Sequence, residues 1–132
     1  MLRVAILGLG WAGSRQVEAI RELGRKVSVE CLVDNDADFL RQKATEFGIG
    51  KTCTDLDAAL KDPDVDAVSI CLLHALHCGA ATEAARAGKH VLCEKPIAMN
   101  ARQAEEMAAA CRENNVQLMD STMWVHSPRA RD

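Results

Sequence analysis

Residues 2–13 read Leu-Arg-Val-Ala-Ile-Leu-Gly-Leu-Gly-Trp-Ala-Gly, and this stretch decides the fold. Its first six residues form an apolar run with the length and composition of a buried β-strand. The glycines that follow, Gly8, Gly10 and Gly13, have the spacing G-x-G-x-x-G. Apolar residues then recur at helical spacing over residues 11–23. The stretch therefore predicts a strand, a tight turn and a helix in immediate succession, which is how a βαβ unit begins.

The rest of the chain repeats this alternation. Further strands are predicted over residues 27–33, 51–53, 65–71, 89–93 and 116–120, with helices between them, one of which is an alanine-rich helix over residues 75–87. Asp36, Thr54 and Asn100 are the predicted N-caps of three of these helices. Strands that alternate with helices pair in parallel through right-handed crossovers. We therefore predict an α/β fold, a doubly wound parallel sheet of the Rossmann type with six strands in the order 3-2-1-4-5-6. Residues 1–121 complete this domain, and residues 122–132 are expected to start the connection to a separate substrate domain.

Composition and charge exclude several classes of protein. The formal net charge is −3 and the basic residues are scattered, so no electrostatic footprint for nucleic acid is present. The apolar stretches are far shorter than the roughly 20 residues of a membrane span. The N-terminal apolar run is interrupted by Gly8 and Gly10, which argues against a signal peptide. A cytoplasmic protein without nucleic-acid or membrane partners is expected.

Six cysteines raise the question of a disulfide or metal framework. The sequence contains no Cys-x-x-Cys pair, and Cys31, Cys71 and Cys93 each lie inside an apolar strand-like run. The group Cys71, His74, His77 and Cys78 fits no zinc spacing. We expect free, mostly buried thiols and no metal.

The glycine turn and a later acidic residue together predict a dinucleotide site. Free N–H groups of Trp11 and Ala12 at the helix start are suited to phosphate oxygens. Asp34 follows the second strand, 21 positions beyond Gly13, near the spacing at which an acid meets the adenosine ribose. Its charge would repel the 2′-phosphate of NADP, and the next residues are Asn35 and Asp36. NAD is therefore the expected cofactor, unless Asp34 merely caps the next helix.

Two further segments carry a resemblance to a known family. Residues 65–71 (VDAVSIC) and 87–96 (AGKHVLCEKP) resemble the glucose–fructose oxidoreductase, inositol dehydrogenase and rhizopine catabolism family of oxidoreductases. In such enzymes the lysine of the Glu-Lys-Pro motif reaches the nicotinamide and a substrate hydroxyl, which implies that role for Lys95. An ammonium there would stabilise a developing alkoxide and help its proton leave. The resemblance also leads us to expect a cis Lys95–Pro96 peptide bond.

One segment departs from the family pattern. After the fourth strand the family usually has Thr-Pro-Asn-x-x-His, whereas this chain has Leu72-Leu73-His74-Ala75-Leu76-His77, so that the last histidine alone matches. The stretch 118–129 resembles the exit from the first domain, which would bring Trp124, His126 and Arg129 near the substrate. The residues assigned to the cofactor are Gly8, Gly10, Trp11, Ala12, Gly13, Asp34, Asn35, Leu72, His77, Glu94 and Lys95, and those assigned to catalysis are Lys95 and His77.

The sequence thus predicts the nicotinamide-binding part of an oxidoreductase that acts on CH–OH groups of a sugar, cyclitol or similar polyol. An alternative is a nucleotide-binding or assembly module without turnover. A methyltransferase that uses S-adenosylmethionine also has a glycine-rich first turn, but the Glu94-Lys95-Pro96 run argues against it. The apolar tail around Met123, Trp124 and Val125 predicts a homo-oligomer, or packing of this tail against its own or a neighbouring chain.

Overall fold

The computed structural model describes residues 1–123 and 127–131. Six parallel strands form one sheet in the order β3-β2-β1-β4-β5-β6, which confirms the predicted topology. The strands are Leu2–Leu7 (β1), Val27–Val33 (β2), Thr52–Cys53 (β3), Ala67–Ile70 (β4), His90–Cys93 (β5) and Leu118–Asp120 (β6). The first two connections run to one side of β1 and the later ones to the other, so the sheet is doubly wound.

Five α-helices connect the strands. They are Trp11–Glu22 (α1), Ala37–Phe47 (α2), Leu56–Leu60 (α3), His77–Arg86 (α4) and Ala101–Glu113 (α5). A short 3₁₀ turn, His74–Leu76, precedes α4, where the sequence predicted the helix itself from residue 75. Apolar residues of α1 and α2 pack on one face of the sheet, and those of α3, α4 and α5 pack on the other.

The helix ends follow the local chemistry of the side chains. The Asp36 carboxylate accepts hydrogen bonds from the N–H groups of Asp38 and Phe39, and the Asn100 side chain accepts one from Gln103 N–H, so both predicted N-caps are confirmed. The predicted cap at Thr54 is wrong by one residue. Asp55 caps α3 instead by accepting from Ala58 N–H at 2.9 Å, because its carboxylate is in range of the free donors of that turn.

A buried lysine stabilises the amino-terminal edge of the sheet, the edge at which the parallel strands begin. The Lys89 ammonium donates to the carbonyls of Asp62 at 2.8 Å and Val65 at 2.7 Å, so its charge is compensated by two backbone acceptors. Nearby, the Arg3 guanidinium bonds the Asp66 carboxylate and holds the pKa of that carboxyl well below its usual range. These contacts hold in place the segment before β4, residues 62–66, and so position β4 next to β1.

One face of the sheet carries an apolar groove beside α1. The cavity has a volume of about 450 Å³, and its lining includes Ile20, Leu23, Leu92 and Met119. Met123, in the tail, is 76% exposed, whereas Trp124, Val125 and His126 lie outside the described residues. Arg129 is exposed within a 3₁₀ turn, Pro128–Arg131. Among the described helices, none is long and apolar enough to cross a membrane.

All six cysteines are free thiols, and four of them are buried. Burial raises the pKa of the Cys31 and Cys93 thiols to about 12 and that of the Cys71 thiol to about 11. The Sγ atoms of Cys31 and Cys53 are 3.6 Å apart, well beyond the roughly 2.05 Å of a disulfide bond. Across residues 1–123 and 127–131, no group of three or more His, Cys, Asp or Glu side chains is arranged to hold a metal ion.

The cysteines should therefore differ in how fast they are alkylated in the folded protein. We expect half-buried Cys53 to be alkylated first by iodoacetamide at pH 8, because the four other thiols are buried and the raised pKa of half-buried Cys71 makes its reactive thiolate scarce. In denaturant all six should react. Alkylation followed by peptide mass spectrometry measures both, and a Cys31–Cys53 pair that stays unmodified in denaturant without reductant would contradict the free-thiol assignment.

Candidate functional site

The candidate site lies at the carboxyl edge of the sheet, between β1 and β4. In a doubly wound sheet the connections diverge at this point and leave a crevice, which is where such folds bind ligands. Five loops meet there, because the carboxyl ends of parallel strands share one edge. They contain the glycine turn after β1, Asp34 after β2, Leu72 after β4, Lys95 after β5 and Ser121 after β6.

Two of the three glycines are required by the fold itself. Gly8 has φ +86°, and a Cβ atom there would be 2.6 Å from the Cys71 carbonyl oxygen. A Cβ atom on Gly13 would be 1.9 Å from the Gly8 carbonyl oxygen, so α1 can approach the turn only without a side chain at this position. A Cβ atom on Gly10 would meet nothing within 4 Å. Gly10 therefore leaves space that the described protein atoms do not fill.

The start of α1 presents unpaired donors to that space. The hydrogen bond from Ser14 N–H to the Gly10 carbonyl, at 3.0 Å, closes the first turn of the helix. The N–H groups of Trp11, Ala12 and Gly13 precede it and have no acceptor within a helix. Among the described residues, no side chain caps this end. The Ser14 hydroxyl donates to the Leu9 carbonyl at 3.1 Å and holds the turn in place. The arrangement suits an anionic group such as a phosphate.

Asp34 is held as an acceptor beside this turn. One carboxylate oxygen accepts from Leu9 N–H at 3.0 Å and the other from Asp36 N–H at 3.1 Å. Because Asp36 is the residue that caps α2, the alternative that Asp34 is merely a helix cap is wrong. The remaining lone pairs of the Asp34 carboxylate are available to hydroxyl donors.

Asp34 also forms one side of a cavity of about 250 Å³. Its polar edge contains Asp34, Asn35 and Thr54, and its apolar wall includes Leu56 and Leu72. Leu73 and Leu76 line it as well, although they are 77% and 52% exposed. Leu72, which stands where the family pattern usually has a threonine, thus makes this wall of the cavity more apolar. Such a cavity could hold a flat heteroaromatic group, with the ribose at the carboxylate.

Lys95 is exposed at the far end of the same edge. It precedes Pro96 through a cis peptide bond, which confirms the prediction. The loop is held through Glu94, whose carboxylate accepts from the Gln16 amide at 3.1 Å and from the Ser121 hydroxyl at 3.1 Å. The other oxygen of Glu94 accepts from Lys95 N–H at 3.2 Å. Gln16 and Ser121 were not among the residues predicted from the sequence.

These side chains surround a second cavity of about 510 Å³. Its lining includes Trp11, Ala12, Gln16, Glu94 and Lys95. Trp11 is 78% exposed, and the Arg15 guanidinium lies 5.9 Å from its ring centroid. Both cavities have residues of the carboxyl edge in their lining, and the larger one also extends along α1 as far as Glu22.

His77 has a different position from the other predicted residues. Its ring is fully buried at the start of α4. Nδ1 is 3.0 Å from the Pro96 carbonyl oxygen, and Nε2 is 3.0 Å from the Leu72 carbonyl oxygen. The structure therefore groups Asp34, the glycine turn and Lys95 at the crevice surface, with His77 beneath it.

Comparison with known proteins identifies the family. Residues 2–121 match the model of an oxidoreductase family described by its NAD-binding Rossmann fold. The chain belongs to this family, and it is an NAD-binding oxidoreductase domain, as the sequence predicted.

Individual relatives are enzymes of sugar and inositol chemistry. The chain is 44% identical over 102 residues to 1,5-anhydro-D-fructose reductase of Ensifer adhaerens, which covers 77% of this chain and 30% of the relative. It is 30% identical over 132 residues to the NADP-dependent scyllo-inositol 2-dehydrogenase of Bacillus subtilis strain 168, covering 100% of this chain and 40% of the relative. The chain thus spans well under half the length of these curated relatives.

Solved structures show the same fold. An NAD-binding oxidoreductase from Klebsiella pneumoniae is 34% identical with a TM-score of 0.91, over 98% of this chain and 36% of that one. A 3-ketoreductase from Actinomadura kijaniata in complex with TDP-benzene and NADP is 32% identical with a TM-score of 0.89, over 98% of this chain and 41% of that one.

Proposed function

We propose that residues 1–121 form the cofactor domain of an enzyme that oxidises or reduces a CH–OH carbon of a sugar, cyclitol or similar polyol. The observation that carries this proposal is the position of Lys95. It is exposed at the same sheet edge as the glycine turn and Asp34, on a loop held by Glu94. The names of the relatives, an anhydrofructose reductase and an inositol dehydrogenase, support the substrate class.

The three parts of the edge correspond to the three parts of the cofactor. The cavity beside Asp34, Asn35 and Leu72 would hold the adenosine, and the N–H groups of Trp11 and Ala12 would hold the pyrophosphate. Glu94 and Lys95 would face the nicotinamide, which supplies or accepts a hydride when bound.

Lys95 would act on the substrate oxygen. Its ammonium can donate a hydrogen bond to the reacting hydroxyl and stabilise negative charge as the proton leaves. Glu94 would serve by fixing the backbone of the loop rather than by transferring the proton, because its carboxylate already accepts from three donors. A second proton-transfer group and the substrate-binding wall would come from a separate domain, with residues 122–132 as the start of the connection. The enzyme would be a homo-oligomer in the cytoplasm, without nucleic-acid or membrane partners.

Cofactor choice tests the proposal directly. We expect NAD to bind at least about tenfold more tightly than NADP, because the Asp34 carboxylate would face the 2′-phosphate and a like-charge contact easily exceeds 1.4 kcal/mol. Titration calorimetry with both cofactors measures this ratio.

Two variants provide the control. Asp34→Asn removes the charge and should bring the ratio close to one. Asp36→Asn keeps a good N-cap for α2 and should leave the ratio unchanged, since Asp36 caps the helix rather than lining the cavity. Equal affinities in the unmodified protein, or a preference for NADP, would contradict the role of Asp34, and no affinity for either cofactor would contradict the proposed site.

A further inference from the structure

His77 joins two loops that belong to opposite ends of the dinucleotide site. Its Nε2 contacts the carbonyl of Leu72, a residue in the wall of the cavity beside Asp34. Its Nδ1 contacts the carbonyl of Pro96, the residue after Lys95. Both distances are 3.0 Å, which is hydrogen-bond range for a ring N–H and a carbonyl oxygen.

The ring can act only through these loops. It is 0% exposed, so neither a substrate nor a cofactor can touch it without displacing the chain around it. Both of its nitrogens already face backbone acceptors. A neutral imidazole donates from one nitrogen, whereas an imidazolium donates from both. As an imidazolium the ring therefore bonds both the segment after β4 and the segment after β5, whereas the neutral ring donates to one of them and packs against the other.

The two loops have different supports elsewhere. The loop after β4 packs against the glycine turn, since a Cβ atom on Gly8 would meet the Cys71 carbonyl. The loop after β5 is held by the Glu94 carboxylate through Gln16 and Ser121. His77 links these two supports to each other.

We propose that His77 is a positioning residue that fixes the spacing between the Leu72 wall and the Lys95–Pro96 loop. His77 would thereby fix the distance between the adenosine end and the nicotinamide end of the site. Lys95 would then be aligned with a cofactor whose adenosine lies beside Asp34. This inference rests on the proposed cofactor site and assigns to His77 a role through the backbone in place of direct contact with cofactor or substrate.

The test compares three variants of the same chain. His77→Phe keeps a planar ring but removes both polar contacts. His77→Gln retains an amide that can donate to one of the two carbonyls. Lys89→Met is the matched control, because Lys89 is also a buried donor to two backbone carbonyls but lies at the opposite edge of the sheet. Thermal unfolding of each variant reports the general cost in stability.

Hydrogen exchange in the nucleotide-free protein reads out loop position independently of cofactor binding. In His77→Phe, the hydrogen-bonded amides beside the two contacts, Leu76 after β4 and Glu94 and Lys95 after β5, should exchange about tenfold faster, the change that corresponds to losing about 1.4 kcal/mol of hydrogen bonding. In His77→Gln only one of the two loops should be released. Lys89→Met should leave both loops at their original rates even where it lowers the melting temperature.

Titration with NAD provides the second readout. His77→Phe should bind NAD about tenfold more weakly, whereas Lys89→Met should stay within about twofold of the original chain. Loop exchange and NAD affinity that are unchanged in a folded His77→Phe would overturn the inference. If His77→Phe does not fold, equal protection of both loops in His77→Gln would overturn it. Loop release without any NAD binding by the original chain would support the role of His77 and contradict the cofactor site instead.

Discussion

The substitution Gly10→Ala is expected to weaken NAD binding about 100-fold while leaving the fold intact. The backbone of Gly10 is extended, with φ −60° and ψ −161°, so alanine can adopt it. An added Cβ atom meets nothing within 4 Å among the described residues. It would instead occupy the space in front of the free N–H groups of α1 and keep the pyrophosphate from reaching them. Losing one or two charge-assisted hydrogen bonds, each about 1.5–3 kcal/mol, corresponds to this loss of affinity.

Substitutions at two other glycines serve as controls that distinguish weaker NAD binding from loss of stability. Gly13→Ala puts a Cβ atom 1.9 Å from the Gly8 carbonyl oxygen and should destabilise the fold by several kcal/mol. Gly50→Ala also places its Cβ atom in open space, but before β3 and away from the crevice, so both stability and affinity should be retained. Calorimetric titration and thermal unfolding measure the two effects. Gly10→Ala with unchanged NAD affinity would show that the phosphate does not approach this turn.

Much of the fold follows from local patterns in the sequence. The alternation of apolar strands with helices is enough to predict the six-strand order, because right-handed crossovers leave few other arrangements. The predictions that were wrong concern helix ends. Thr54 and Asp55 are both good N-cap residues, and spacing alone does not decide between neighbours. The 3₁₀ turn at His74–Leu76 has a composition that a helix also accepts, so the start of α4 was placed two residues early.

The site likewise contains residues that the sequence predicts and residues that it does not. The glycine turn, Asp34 and Lys95 belong to contiguous motifs and were predicted. Gln16 and Ser121 are 105 residues apart and meet at Glu94 only because the Gln16 side chain on α1 reaches the residues that follow β5 and β6. No short-range pattern marks either of them. For His77, the sequence shows a histidine near the crevice but not whether its ring faces the ligand or the backbone beneath it.

We expect a protein of these 132 residues to bind NAD but to reduce no detectable NAD with polyols or sugars. The groups proposed to hold the cofactor all lie within residues 1–121. Hydride transfer also requires the substrate carbon to be held about 3–3.5 Å from the nicotinamide, and such positioning is worth roughly 7–11 kcal/mol of the barrier. In the curated relatives named above, 60–70% of the length lies outside the matched region. In the proposed enzyme the wall that faces Lys95 across the substrate belongs to the separate domain, so the substrate would lack that wall here.

The assay follows absorbance of the reduced cofactor over a panel of polyols and sugars, with Lys95→Ala as the control. Saturable turnover that Lys95→Ala abolishes would contradict the expectation and show that these residues suffice for catalysis.

A chimera then tests Lys95 itself. Residues 1–121 would replace the matching domain of the 1,5-anhydro-D-fructose reductase, which is 44% identical over the aligned 102 residues. Turnover should return, because the second domain restores the substrate wall while the cofactor edge comes from this chain. Lys95→Ala in the chimera should lower kcat by about 10²–10⁴-fold, the usual contribution of a positioned proton-transfer group, with NAD affinity little changed. An active chimera that is indifferent to Lys95→Ala would assign the proton transfer to the second domain alone.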